Sequence, residues 1–157
     1  MSVSKNPSVS IIIPTYNETD NIEAVVKKFL DSKYPHLLEI IIVDGTSTDG
    51  TQGKIEKLSR IHPQIKLLDN PQRIQSAALN IALKACKGDI YLRADAHCNY
   101  APDYIEQCVD ALQKSQAVNV GGAQRFVAAN TFQAGVSLAS RSLLGSGGAK
   151  YRNPHYD

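Results

Sequence analysis

The chain has only three cysteines in 157 residues, no long apolar run and no block of like charge, and each shortage removes a class of protein. Cys86, Cys98 and Cys108 are odd in number, with neither CxxC spacing nor an attendant histidine cluster. That argues against a disulfide framework and a structural zinc site, and a reducing cytoplasm fits best. The start, "MSVSKNPSVS", lacks the apolar core of a secretory signal, and no stretch approaches the roughly 18 uninterrupted apolar residues of a membrane span. The portion shown is expected to be soluble. A formal net charge of +2 without basic-aromatic interleaving gives no nucleic-acid footprint. The familiar phosphate cradles are missing as well. Without GxGxxG after the first apolar run, and without GxxxxGKS/T anywhere, a dinucleotide dehydrogenase and a P-loop NTPase are disfavoured.

What is present describes one ordinary domain, 43% hydrophobic and 20% charged. Residues 9–13, "VSIII", read as a buried strand stopped by Pro14. Ile22, Val25, Val26, Phe29 and Leu30 then form one helical stripe, with Asp20 and Glu23 spaced as a capping box. "LLEIIIVDG" (37–45) is a second strand, followed by a helix carrying Ile55 and Leu58 that Gly50 and Gly53 should shorten or delay. "IKLLDN" (65–70) is a third strand, and Ile74, Ala77, Ala78, Ile81 and Ala82 supply a further helical face. "GDIYLRAD" (88–95) is the fourth. Pro102 opens a helix buried through Ile105, Cys108, Val109 and Leu112, and "AVNVGG" (117–122) offers a fifth strand. Apolar strands alternating with amphipathic helices predict right-handed βαβ units and a mostly parallel, Rossmann-like sheet in a three-layer α/β/α arrangement.

In such sheets ligands bind beyond the carboxyl ends of the strands, and the polar clusters fall there. "PTYNE" (14–18) follows the first strand, "DGTSTDG" (44–50) the second and "RADAH" (93–97) the fourth. Asp95 and His97, two apart at a strand's end, can point the same way and hold a cation. Carboxylate and diphosphate oxygens suit Mg²⁺ or Mn²⁺, and the imidazole shifts the preference toward Mn²⁺. Taken alone, Asp-x-His more commonly marks a loop Asp capping a turn beside a solvated His. Asp44 doubles as a turn former, Tyr16 as a ring packed on the sheet edge, and Arg73 and Arg93 as solvated or paired cations.

The ordered set "VSIIIPTYNE", "IIIVDGTSTDGT" and an Asp-x-Asp-like element followed by Pro102 resembles the family-two inverting glycosyltransferases of the glycosyltransferase-A fold. "RADAHCNYAPDYI" with "GSGGAKYR" is similar in particular to the succinoglycan-type bacterial exopolysaccharide enzymes. The resemblance implies that Pro14, Thr15, Tyr16, Asn17 and Glu18 line a nucleotide pocket, and that Asp44 hydrogen-bonds the uracil of a UDP-sugar. Ala94 and Asn80 belong to the same donor-binding set, and Asp95 binds the metal, Mn²⁺ or Mg²⁺, that bridges the donor's phosphates. His97 stands where many relatives have a second Asp. Leu79 stands where many have an Arg before the Asn matching Asn80, which makes Arg73 the replacement phosphate contact. The implied reaction moves a sugar from a nucleotide-sugar donor to a polysaccharide or lipid-linked acceptor with inversion.

Such a displacement needs a general base, and after Asp110 the only acidic residue is Asp157. Relatives also carry Gln-x-x-Arg-Trp-like elements, whereas this chain has no Trp. The expectation is therefore a single nucleotide-sugar-binding domain over residues 1–157, truncated before the half that binds acceptor and supplies the base. No catalytic base is identified in the chain, and the alternative is a non-catalytic binding module or assembly subunit. The tail, residues 131–144, reads as a helix with Phe132, Val136, Ala139 and Leu143 inward. The five scattered bases after Asp110, Lys114, Arg125, Arg141, Lys150 and Arg152, leave room for membrane association of a full-length protein at the cytoplasmic face.

Overall fold

The structure, a computed structural model, describes residues 6–122, 127–128 and 130–142. Along the chain run β1 (Val9–Thr15), α1 (Ile22–Leu30), β2 (Leu37–Asp44), α2 (Thr51–Ile61), β3 (Ile65–Asp69), α3 (Gln75–Ala85), β4 (Ile90–Arg93), α4 (Tyr104–Ser115) and α5 (Thr131–Arg141). Packing divides it into two units, Met1–Val109 and Asp110–Asp157. The first holds the entire described sheet.

All strand pairings are parallel, and the order is β3-β2-β1-β4. The chain steps outward from β1 through β2 to β3, then crosses back to place β4 on the far side of β1. Strand order thus reverses between β1 and β4, which opens a crevice at their carboxyl ends. Both sheet faces are covered, as the unbroken apolar strands require. Ile11, Ile13, Ile40 and Ile42 pack with Val26 and Phe29 of α1, Ile55 of α2 and Ile105 of α4. On the other face Ile12, Ile41 and Val43 meet Ala78 and Ala82 of α3. This is the expected three-layer α/β/α fold.

Pro14 does not stop the first strand, which continues to Thr15 with Pro14 beside Val43. Pairing with β4 ends at Ile12, so Pro14 lies where one side of β1 has no ladder left to interrupt. The capping box is also absent. Asn21 occupies the cap, and the Glu18 carbonyl accepts from the amides of Asn21 and Ile22. Gly50 does not delay α2; at φ 94° it is the residue from which that helix starts, and Gly53 lies inside it. Ile74 is the exposed cap of α3 rather than part of its buried face.

The fifth strand is not formed: residues 117–122 are irregular and Val118 is fully exposed. Two valines and a Gly pair offer too little side chain for a pleated surface. In the second unit α5 forms, capped by Asn130, whose side-chain oxygen accepts from the Gln133 amide 2.9 Å away. Its buried position is Ser137, however, while Phe132, Val136 and Ala139 are exposed. Leu143 lies outside the described residues. A helical stripe marks a face, not what covers it.

A charged group sits inside the first unit, near the amino ends of the strands. Glu39, 2% exposed, accepts from the Ser10 hydroxyl at 2.7 Å and the Lys87 amide at 2.7 Å, and pairs with the Lys66 ammonium. The Ser10 hydroxyl in turn accepts from the Gly88 amide at 2.9 Å. These bonds pin the α3–β4 turn onto β1 and β2. Gly88 is required by the close approach, since a Cβ there would lie 2.6 Å from the Ser10 nitrogen.

Candidate functional site

Three non-glycine residues adopt left-handed backbone conformations in the loops leaving three successive strands: Asn17 (φ 52°) after β1, Thr46 (φ 59°) after β2 and Arg73 (φ 56°) after β3. Such positions cost of order 1–3 kcal/mol each, and a β-branched Thr tolerates them badly. The surrounding bonds hold them. The Asn17 amide donates to the Ser47 hydroxyl at 2.8 Å, and its side-chain oxygen accepts from the Thr48 amide at 2.9 Å. Arg73 donates through Nε to the Thr46 hydroxyl at 2.8 Å, with its guanidinium 5.7 Å from the Tyr16 ring centroid. Tyr16 and Arg73 are therefore brought together at the mouths of β1 and β3.

Beneath them lies Asp44, fully buried. Its carboxylate accepts from the Ser47 amide at 2.8 Å, the Ser47 hydroxyl at 2.5 Å and the Gln52 side-chain amide at 2.7 Å. An Asp starting a turn does this, and here it also ties the β2 exit to α2. The two exit loops are laced to each other. The Glu18 amide donates to the Thr51 hydroxyl at 3.0 Å, the Thr19 amide to Asp49 at 3.0 Å, and the Lys54 ammonium to the Thr19 carbonyl at 2.7 Å. The Thr51 hydroxyl and then the backbone amides hold the Asp49 carboxyl below its usual range. Pro14 and Thr15 close β1 below these loops, and Asn80 is exposed on α3.

The β4 exit alternates strictly: Leu92, Ala94 and Ala96 are buried, while Arg93, Asp95 and His97 reach solvent. Ala94 continues the sheet by donating its amide to the Ile12 carbonyl at 2.8 Å. The Asp95 amide donates to the Tyr100 hydroxyl at 2.7 Å. Tyr100 is wedged between Phe29, 5.0 Å away, and Tyr104, 4.9 Å away, and burial drives its hydroxyl well above its ordinary pKa. That neutral hydroxyl anchors the loop that presents the acidic group. The side chains of Asp95 and His97 engage different partners. Asp95 accepts from Arg93 Nη2 at 3.0 Å, and His97 Nδ1 lies 2.9 Å from Glu18 Oε1.

Asp95 and His97 are the residues that could hold a cation shared with a ligand, and here each is engaged with a protein partner instead. Among the described residues no three His, Cys, Asp or Glu side chains cluster as ligands. A cation held by the Asp95 carboxylate and the His97 imidazole, both solvent-accessible, would keep coordination positions for phosphate oxygens, and that mixed donor set would suit Mn²⁺ better than Mg²⁺. Arg93 competes for Asp95. Exposed pairs of this kind are worth about 0–1 kcal/mol. Arg93→Ala is therefore expected to raise donor-free Mn²⁺ affinity by up to about fivefold, read by Mn²⁺ electron paramagnetic resonance titration.

Several structural participants lie outside the expected donor set. Ser47, Asp49, Thr51 and Gln52 are not among the sequence-predicted site residues, yet their bonds lace together the loops leaving β1 and β2. Tyr100 lies in the loop before α4, so no helical periodicity marks its contact with Tyr104.

The sequence matches the model for glycosyl transferase family 2 over residues 10–155. It is 40% identical over 144 residues to the succinoglycan biosynthesis protein ExoA of Rhizobium meliloti, covering 90% of this chain and 44% of that protein. Among solved structures it is similar to the mannosyltransferase PcManGT from Pyrobaculum calidifontis in complex with GDP-Man and Mn²⁺. The TM-score is 0.64 and identity 33%, over 69% of this chain and 33% of that one. It also resembles glucosyl-3-phosphoglycerate synthase from Mycobacterium tuberculosis in complex with Mn²⁺, UDP and glucosyl-3-phosphoglycerate, at TM-score 0.54 and 25% identity over 68% of this chain and 40% of that one. The chain spans less than half the length of these relatives.

Proposed function

Because the chain belongs to glycosyl transferase family 2, we propose that it forms the donor-binding part of an enzyme that moves a sugar from a UDP-sugar to a glycan or lipid-linked acceptor. The product is a bacterial exopolysaccharide or related surface glycan, formed with inversion. The observation that supports the donor reading is the convergence of three strained loops above the carboxyl ends of β1, β2 and β3, with Tyr16 and Arg73 in contact there and Asp95 at the end of β4 on the other side of β1. Strain is retained where the surroundings enforce it, and it collects at ligand sites.

In this reading Tyr16 supplies a ring face for the base, and Arg73, already oriented by Thr46, supplies a positive charge for the diphosphate. Asp44 sets the β2 exit on which the base rests, and Gln52 and Ser47 are the groups that yield when its carboxylate turns to a uracil ring. Asp95 and His97 hold a divalent cation. When bound, that cation supplies Lewis-acid stabilisation of the charge developing on the leaving diphosphate, worth several kcal/mol. Arg93 exchanges its Asp95 contact for a phosphate oxygen.

A second reading is favoured by one observation, the single acidic residue after Asp110. In it the chain binds donor without turning it over. Incubation with a panel of UDP- and GDP-sugars and simple glycan acceptors, with product anomers read by NMR, separates the two. Transfer with inverted configuration supports catalysis by the chain itself; metal-dependent binding of UDP-sugars without transfer supports the donor-binding part alone. Absence of nucleotide-sugar binding refutes both.

A further inference from the structure

The geometry assigns Glu18 as the positioning residue of the cation site: its carboxylate accepts a hydrogen bond from His97 Nδ1–H and holds the imidazole as the tautomer whose Nε2 lone pair is free for a divalent metal. This deepens the proposed site and rests on that reading. It also moves the Glu18 side chain from lining the nucleotide pocket to acting through His97.

The argument begins with donor inventory. An ionised carboxylate only accepts hydrogen bonds, so at 2.9 Å from Glu18 Oε1 the neutral His97 ring must carry its proton on Nδ1. Nε2 is then the ring's remaining electron pair. A metal-ligating histidine characteristically gives its other N–H to a carboxylate, which fixes ring orientation and raises ligand basicity. His97 is 67% exposed on its side chain, so the ring's outer edge is open to a ligand, whereas Glu18 is only 18% exposed.

Glu18 is built to stay where it is. Its second carboxylate oxygen accepts from the Asn21 side-chain amide at 2.7 Å. Its backbone amide donates to the Thr51 hydroxyl at 3.0 Å, and that hydroxyl donates to Asp49 at 2.5 Å. Its carbonyl receives the first amides of α1, Asn21 at 3.0 Å and Ile22 at 2.9 Å. Both carboxylate oxygens and both backbone polar groups are thus engaged, and the orientation of His97 is set by loops leaving β1 and β2, not by β4 alone. An imidazole ligand needs a tautomer-fixing neighbour that a carboxylate does not, and Glu18 is placed to be that neighbour.

The test uses ¹⁵N-labelled protein without metal at alkaline pH, where long-range ¹H–¹⁵N correlation spectra distinguish the two neutral tautomers; His97→Asn identifies the His97 signals. The expected result is a protonated Nδ1 and bare Nε2 in the wild type. Glu18→Gln, which keeps an accepting oxygen, preserves this tautomer, and Glu18→Ala loses the preference. In parallel, Mn²⁺ titration followed by electron paramagnetic resonance is expected to show roughly ten- to hundredfold weaker binding for Glu18→Ala, largely restored in Glu18→Gln. Circular dichroism melting confirms that each variant is folded. A wild-type His97 protonated on Nε2, or Glu18→Ala with unchanged Mn²⁺ affinity, overturns the assignment of Glu18 alone. Failure of the wild type to bind Mn²⁺ overturns the cation site itself.

Discussion

Glu39→Ala is expected to destabilise the fold by about 3 kcal/mol, the low end of what breaking a buried ion pair costs. Truncation leaves the Ser10 hydroxyl and the Lys87 amide without their acceptor beneath the α3–β4 turn, while Lys66, with a side chain 39% exposed, can turn to water. That escape is why the low end applies. Glu39→Gln keeps an oxygen for Ser10 and Lys87 but turns an amide donor toward Lys66, which must swing to water, so it should lose about half as much. Urea denaturation of the three proteins measures both. Burial raises the Glu39 carboxyl, but bonds from Lys66, Ser10 and the Lys87 amide outweigh it and leave the group below its ordinary range. With the folded value depressed, Glu39 adds stability above its unfolded value of about 4.3, and that contribution is lost as pH falls through the folded value. Glu39→Gln should therefore show a shallower acid decline below about pH 4 than the wild type.

Asp95→Ala is expected to weaken UDP binding in the presence of Mn²⁺ by roughly 30- to 100-fold, corresponding to about 2–3 kcal/mol. The metal-free affinity should move the other way or not at all, because removing a negative charge beside a diphosphate cannot hinder it. This opposition of sign separates loss of a cation ligand from general damage to the pocket. Truncation leaves the loop anchored, because Asp95 is held to Tyr100 through its backbone amide. Calorimetric titration of UDP with and without Mn²⁺ reads both signs.

The architecture was legible wherever burial sets the residue type. Four runs dominated by Ile, Val and Leu mark the four strands, and the stripe Ile22, Val25, Val26 and Phe29 marks the buried face of α1, because a parallel sheet covered on both sides leaves few alternatives for those residues. Where neighbours decide, the sequence misled. Pro14 breaks a strand only if a partner needs its missing amide proton, and β4 ends before reaching it. Residues 117–122 carry an alternating pattern but have no strand partner among the described residues, and α5 carries an apolar stripe whose Phe132 and Val136 are exposed.

The site divides in the same way. The clusters at the strand ends could be read directly, since the topology sends every such loop to one end of the sheet. The bonds between clusters could not. Glu18 and His97 are 79 positions apart, and Arg73 and Thr46 are 27 apart, so their pairings are tertiary facts. Left-handed conformations at Asn17, Thr46 and Arg73 are equally hidden, for none of the three is the glycine that usually announces such a turn.

The most direct test of the account is the calorimetric affinity of the wild-type chain for UDP, measured first with Mn²⁺ and then after its removal by a chelator. The account predicts binding that strengthens at least tenfold with the metal and loses that gain in Asp95→Ala and His97→Ala. Equal affinity with and without Mn²⁺, unchanged by both substitutions, would contradict it.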